Sequence, residues 1–69
     1  MRWIVGDLVR ATCRIEEDES ILHAEQGSSG TVEYVDEDGN PTVRFHRTGT
    51  STVCLPGELK LTASVGVAA

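Results

Sequence analysis

Cys13, His23, His46 and Cys54 are the side chains of this 69-residue chain best suited to holding a metal ion or attacking an electrophile. Two thiolates and two imidazoles can close a tetrahedral zinc site. No pair of them stands at a recognised ligand spacing, and there is no Cys-x-x-Cys. Period-2 alternation also separates them, turning Cys13 inward with Val9 and setting Cys54 opposite Val53 and Leu55. Single cysteines commonly act as small buried hydrophobes, and isolated histidines commonly sit at the surface. A Cys/His nucleophile pair would need a third group to orient the base, and none is identifiable. Neither catalysis nor a metal or other cofactor is expected.

Two further motifs invite a chemical reading. Asp36-x-Asp38-x-Asn40 has the opening of a calcium loop. Such a loop needs glycine at position six and a bidentate acid at position twelve, where this chain has Pro41 and Arg47. Gly27-Ser-Ser-Gly-Thr-Val32 has the form Gly-x-x-Gly-x-Val. A phosphate-cradling loop must lead into a helix whose first amides meet the anion, and here a strand follows. Both segments read as turns.

The charge balance limits the partners. Eleven acidic residues against six Lys plus Arg give a net charge of −5. Nucleic-acid affinity rests on neutralising phosphates, so nucleic acid is not the expected partner. A basic protein partner suits the charge better. Two cysteines are too few for a disulfide framework, and the opening residues Met1–Asp7 contain no long apolar stretch. With nothing approaching the ~20 apolar residues of a membrane span, the expectation is a cytoplasmic protein with both thiols reduced and no membrane association.

The elements that must carry these residues are short strands. Leu8 to Ile15 alternates, with Val9, Ala11, Cys13 and Ile15 on one face. Glu16 to Ser29 is polar, opens with Glu-Glu-Asp-Glu and reads as a long loop pinned by Ile21 and Leu22; a two-turn helix over 20–25 would be marginal. Gly30 to Val35 is a second strand, with Val32 and Tyr34 on one face. After the turn at 36–40, Pro41 begins a third, with Val43 and Phe45 inward and Arg44 outward. Thr48-Gly49-Thr50 turns into a fourth strand, Ser51 to Leu55, where Val53 and Leu55 share a face. Pro56-Gly57 breaks the chain before a fifth, Leu59 to Thr62. The expected architecture is all-β: a small five-stranded SH3-like barrel over residues 1–62 with a long loop between its first two strands, and a flexible tail at 63–69.

Gly6-Asp7-Leu8-Val9-Arg10, Gly27-Ser-Ser-Gly-Thr-Val32, Thr42-Val-Arg-Phe45 and Val53-Cys54 through Glu58-Leu59, taken in order, resemble the NifZ-type nitrogen-fixation accessory proteins. The resemblance spans roughly residues 5 to 61. It departs from the family pattern at the acidic 16–19 run and at Pro56-Gly57. Less specifically, the same motifs resemble KOW-type domains and the nitrile hydratase β-subunit barrel. The first resemblance implies a non-enzymatic accessory role in maturing a nitrogenase-type metalloprotein, with a nitrogenase component as the partner.

The expected function is therefore a protein-binding accessory module, monomeric or weakly dimeric. Its candidate contact residues are Trp3, Glu16, Glu17, Asp18, Glu19, Ile21, Leu22, Arg44 and His46. Trp3 is the only tryptophan and lies outside the first strand's alternation. Buried, it caps an end of the barrel; exposed, it would be the natural hot spot. Two alternatives stand beside this reading. One is a KOW- or Tudor-like nucleic-acid binder using Arg10, Arg14, Arg44 and Arg47. The other is a small oligomeric enzyme whose site forms at a subunit interface.

Overall fold

The computed structural model describes residues 3–18 and 21–64, with side chains given except at Glu17 and Asp18. The chain is all-β. Seven strands follow in order: β1 (Leu8–Ala11), β2 (Ile15–Asp18), β3 (Ile21–Ala24), β4 (Ser29–Val35), β5 (Pro41–Phe45), β6 (Ser51–Val53) and β7 (Leu59–Ala63), with one 3-10 turn at Pro56–Glu58. Five of them form an antiparallel sheet in the order β6-β5-β4-β1-β7, and β2 and β3 pair as a separate hairpin.

The core forms where alternating side chains of β1, β4, β5 and β7 meet. Val9, Val32, Val43, Phe45 and Cys54 are fully buried, with Trp3, Ala11, Ile15, Ala24 and Leu59 packed around them. Pro41 opens β5 as its missing donor requires, and its carbonyl accepts the Cys54 amide at 2.9 Å. Gly30 lies between Val9 of β1 and Phe45 of β5 in the inner row of the sheet. A Cβ there would stand 2.5 Å from Val43 Cγ1 and 2.9 Å from the Arg44 carbonyl oxygen. Glycine is needed at this position for close packing.

Asp7 explains the Gly-Asp pair at the entrance to β1. Its carboxylate is buried, accepting the Ile4 amide through Oδ2 and the Ser64 hydroxyl through Oδ1, both at 2.9 Å. Its own amide closes the turn onto the Ile4 carbonyl, with Gly6 at φ +98° between them. One side chain thus ties the start of the sheet to the end of β7.

The structure corrects several sequence expectations. The expected long loop at 16–29 is largely the β2–β3 hairpin, with a strand over Ile21–Ala24. Ile21 does not pin it, being 40% exposed, and Leu22 is half-buried; His23 and Ala24 are the buried residues. The first strand stops at Ala11 because the chain bends at Thr12. The Thr12 amide donates to the Glu58 carbonyl at 2.8 Å and its hydroxyl to the Gly57 carbonyl at 2.9 Å. That bend puts Cys13 at the surface, not in the core. Alternation holds around Cys54, but the inward face is the other one: Cys54 is buried while Val53 and Leu55 are exposed.

Tyr34 is the most instructive case. The pairing register slips between Val32↔Val43 and Tyr34↔Thr42, so Glu33 is an extra residue on β4. A bulge of this kind shifts the side-chain phase by one. Val32 therefore points in and Tyr34 points out, 60% exposed. β7 runs one residue past its expected end, and the tail beyond Ser64 lies outside the described residues.

Candidate binding face

The solvent face of β4, β5 and β6 is built from register. Thr31, Arg44 and Ser51 are direct cross-strand neighbours, as are Tyr34, Thr42 and Val53. Directly opposed residues share a face, with Cβ atoms about 5 Å apart. One row is polar, and the other carries two exposed apolar side chains, Tyr34 at 60% and Val53 at 57%. Between the rows the Ser51 hydroxyl donates to Glu33 Oε1. His46 follows Arg44 on the same face and meets Thr31 Oγ1 through Nε2 at 2.7 Å. Thr31, Glu33, Arg44, His46 and Gly49 line a shallow depression of about 400 Å³.

A hydroxyl 2.7 Å from an imidazole nitrogen has the separation of a nucleophile–base pair. Activation also requires a third group holding the imidazole, and among the described residues no hydrogen bond reaches His46 Nδ1. The contact is one of two side-chain hydrogen bonds on this face; the other, Ser51 to Glu33, reaches from β6 over β5 to β4. What the face offers is one guanidinium, one imidazole, hydroxyls and an exposed aromatic ring.

The structure brings together some of the sequence candidates and separates others. Arg44 and His46 share the face just described. Trp3 does not join them; at 5% exposure it belongs to the core and offers no contact surface. Ile21, Leu22 and Glu16 lie on the β2–β3 hairpin, where Glu16 accepts Arg14 Nε at 3.2 Å. Glu19, and the side chains of Glu17 and Asp18, fall outside what is described. Tyr34 and Val53 were missed because the sequence pattern placed Tyr34 on one face with Val32 and Val53 on one face with Leu55, and singled out neither as a contact residue.

A second depression, of about 360 Å³, lies between β3 and the β5–β6 turn, lined by Leu22, Ala24, Ser28, Phe45, Arg47 and Thr48 among others. Its wall is a polar staple. His23 Nδ1 meets Thr50 Oγ1 at 2.9 Å, Thr50 Oγ1 meets Thr48 Oγ1 at 2.9 Å, and Thr48 Oγ1 donates to the His23 carbonyl at 2.9 Å. His23 thus fastens the hairpin to the sheet.

The four residues that sequence singled out for metal or nucleophile chemistry are dispersed. His46 is on the outer face, His23 in the staple, Cys13 at the surface and Cys54 in the core. Burial, followed by the nearby charges of Glu58 and Cys13, pushes the Cys54 thiol from 9.0 up to about 12. Thiol reagents attack the thiolate. Native protein at pH 8 is therefore expected to titrate with one fast thiol, Cys13, and with two after unfolding in guanidinium. Two fast thiols in the native protein would contradict the buried position of Cys54. The raised value also fixes an alkaline limb. Unfolded Cys54 loses its proton near pH 9.0 while folded Cys54 keeps it to about pH 12. Stability is then complete below pH 9 and falls through this window by about 1.4 kcal/mol per pH unit. Cys54→Ala should flatten that limb in equilibrium unfolding followed against pH.

Fold and face together define a small all-β domain with a mixed polar and apolar sheet surface open to solvent. Comparison with family models, with curated proteins and with solved structures finds no match to the chain. Among the described residues no helix is long and apolar enough to cross a membrane.

Proposed function

We propose that the chain is a non-enzymatic protein-binding module of SH3-like barrel type whose contact surface is the outer face of β4, β5 and β6. The strand order β6-β5-β4-β1-β7, the hairpin inserted between β1 and β4, and the 3-10 turn before β7 support the architecture. The observation that carries the function is the bulge at Glu33, which turns Tyr34 to solvent in the same row as Val53, on the face that also carries Arg44. Bulges re-aim side chains at functional positions, and Tyr and Arg are enriched where interfaces concentrate their binding energy.

The resemblance to NifZ-type proteins bears on architecture. Its residues are engaged in the scaffold: Gly6 and Gly27 at positive φ, Asp7 in its buried tie, Gly30 in the close approach, and Val9, Val32, Val43, Phe45, Cys54 and Leu59 in the core. The module reading stands on the exposed face, with the partner's identity left to experiment.

Selection of a random peptide library against the folded domain tests it. Enriched peptides should bind wild type, and Tyr34→Ala/Val53→Ser should weaken them by about tenfold or more, the loss expected from one interfacial anchor. The thermal midpoint should stay within a few degrees, since both side chains are exposed. Enriched peptides indifferent to the double substitution would sink the reading.

A further inference from the structure

Charge is sorted across this molecule in a way that its net value conceals. In β1 and β7, Arg10 and Lys60 are direct cross-strand partners, both exposed. On the other side Arg10 pairs with Ser29, and the Ser29 carbonyl accepts the His46 amide at 3.0 Å. Lys60, Arg10, Ser29 and His46 therefore form one row across the outer surface of the sheet. Arg44 stands two residues from His46 on the same surface of β5. Three strand spacings make the row about 14 Å long.

Two observations give this row a purpose. Like charges directly opposite one another destabilise a sheet, and here a chain with only six Lys plus Arg sets two of them face to face. No described acid forms an ion pair with either of them. Both ion pairs among the described residues belong to Arg14, which holds Glu16 at 3.2 Å and Glu25 at 3.5 Å on the hairpin side. On the outer face Glu33 accepts from Ser51.

We infer that Lys60, Arg10, His46 and Arg44 form an anion-binding belt whose occupant is a short, extended acidic segment of a partner protein. This deepens the module reading by naming the partner's chemistry. The belt's length matches about four residues of extended chain at ~3.4 Å each. A nucleic-acid strand fits less well on two counts. Among the described residues Tyr34 is the only exposed Phe, Tyr or Trp, with the His46 imidazole the one other exposed ring, whereas single-strand binding stacks successive bases on several large rings. A long polyanion would also run on from the belt into the field of a protein carrying −5. The sequence pointed to the acidic 16–19 run as a dock for a basic partner; the sheet register points to the opposite sign at a different place.

The test uses a fluorescent hexaglutamate peptide on the full chain at low ionic strength. Wild type should bind it with an affinity that falls steeply as salt is added. Arg10→Gln/Lys60→Gln should bind about tenfold more weakly or worse, the scale of two lost charge-assisted contacts. Its thermal midpoint should be equal to or above that of wild type, because a repulsive pair is gone. Lys60→Glu, which converts the pair into an attractive one, should raise the midpoint and remove binding. A structural role for the two cations would instead lower the midpoint. No binding by wild type, or equal binding by all three proteins, overturns the belt. Tighter binding of a ten-nucleotide oligothymidylate than of hexaglutamate overturns the occupant. Tyr34→Ala separates the two levels. Library peptides lost in Tyr34→Ala while hexaglutamate fails to bind leave the contact face and remove the belt; the reverse pattern keeps the belt and removes the Tyr34 face.

Discussion

Gly30→Ala is expected to lower the thermal midpoint by about 10–20 °C, and Gly30→Val to leave no folded protein at 37 °C. The added carbon of alanine would sit 2.5 Å from Val43 Cγ1, 2.9 Å from the Arg44 carbonyl and 3.1 Å from Phe45 Cδ1. Two of those neighbours are fully buried side chains and the third is sheet backbone, so none can swing aside without breaking the β4–β5 ladder. Overpacking of this kind costs about 1–3 kcal/mol, and at this size each kcal/mol moves the midpoint by roughly 4–8 °C. A 69-residue domain has only some 3–10 kcal/mol in total. Gly57→Ala is the control: nothing lies within 4 Å of its added carbon and its φ is not positive, so the midpoint should hardly move. Thermal melts of the three variants decide it, and equal midpoints for Gly30→Ala and wild type would contradict the packing of the sheet centre.

Asp7→Ala carries the second large effect, an expected loss of about 3 kcal/mol measured by urea unfolding. Hydrogen bonds to a charged group contribute about 1.5–3 kcal/mol each, and stranding their donors adds a desolvation cost. Asp7 accepts two such bonds, from Ile4 and Ser64, in a position closed to water. Their loss frees the entrance to β1 and the exit from β7 at once. Asp7→Asn keeps an acceptor and should recover part of the difference. Ser64→Ala removes one of the two bonds and should fall between wild type and Asp7→Ala. An Asp7→Ala protein as stable as wild type would mean that the termini are held by something other than this carboxylate.

The alternating segments were legible where alternation was uninterrupted. Val9 and Ala11, then Val43 and Phe45 with Arg44 opposite, fall where period 2 puts them, and Pro41 begins its strand as its missing amide demands. Alternation failed wherever something non-local reset its phase. Thr12 bends the chain because Gly57 and Glu58, some 45 residues away, hold it, and Cys13 leaves the core as a result. A bulge at Glu33 flips Tyr34, and no residue type in that stretch announces it. The β2–β3 hairpin was hidden by its acidic composition; among its described side chains the buried ones are Ile15, His23 and Ala24. For the candidate site, Arg44 and His46 were readable from strand phase. Tyr34 and Val53 were not, and Trp3, chosen for its residue type, proved to be core. The juxtaposition of Arg10 and Lys60 depends on pairing two strands fifty residues apart, which no local pattern encodes.

The outer face of β4, β5 and β6 is proposed as the surface that meets a partner. Amide chemical-shift mapping of the domain titrated with a library-selected peptide tests it most directly. The largest shifts are expected at Thr31, Glu33, Tyr34, Thr42, Arg44, His46, Ser51 and Val53, with β2 and β3 little changed. Shifts concentrated on that hairpin, with Tyr34 and Arg44 unmoved, would contradict it.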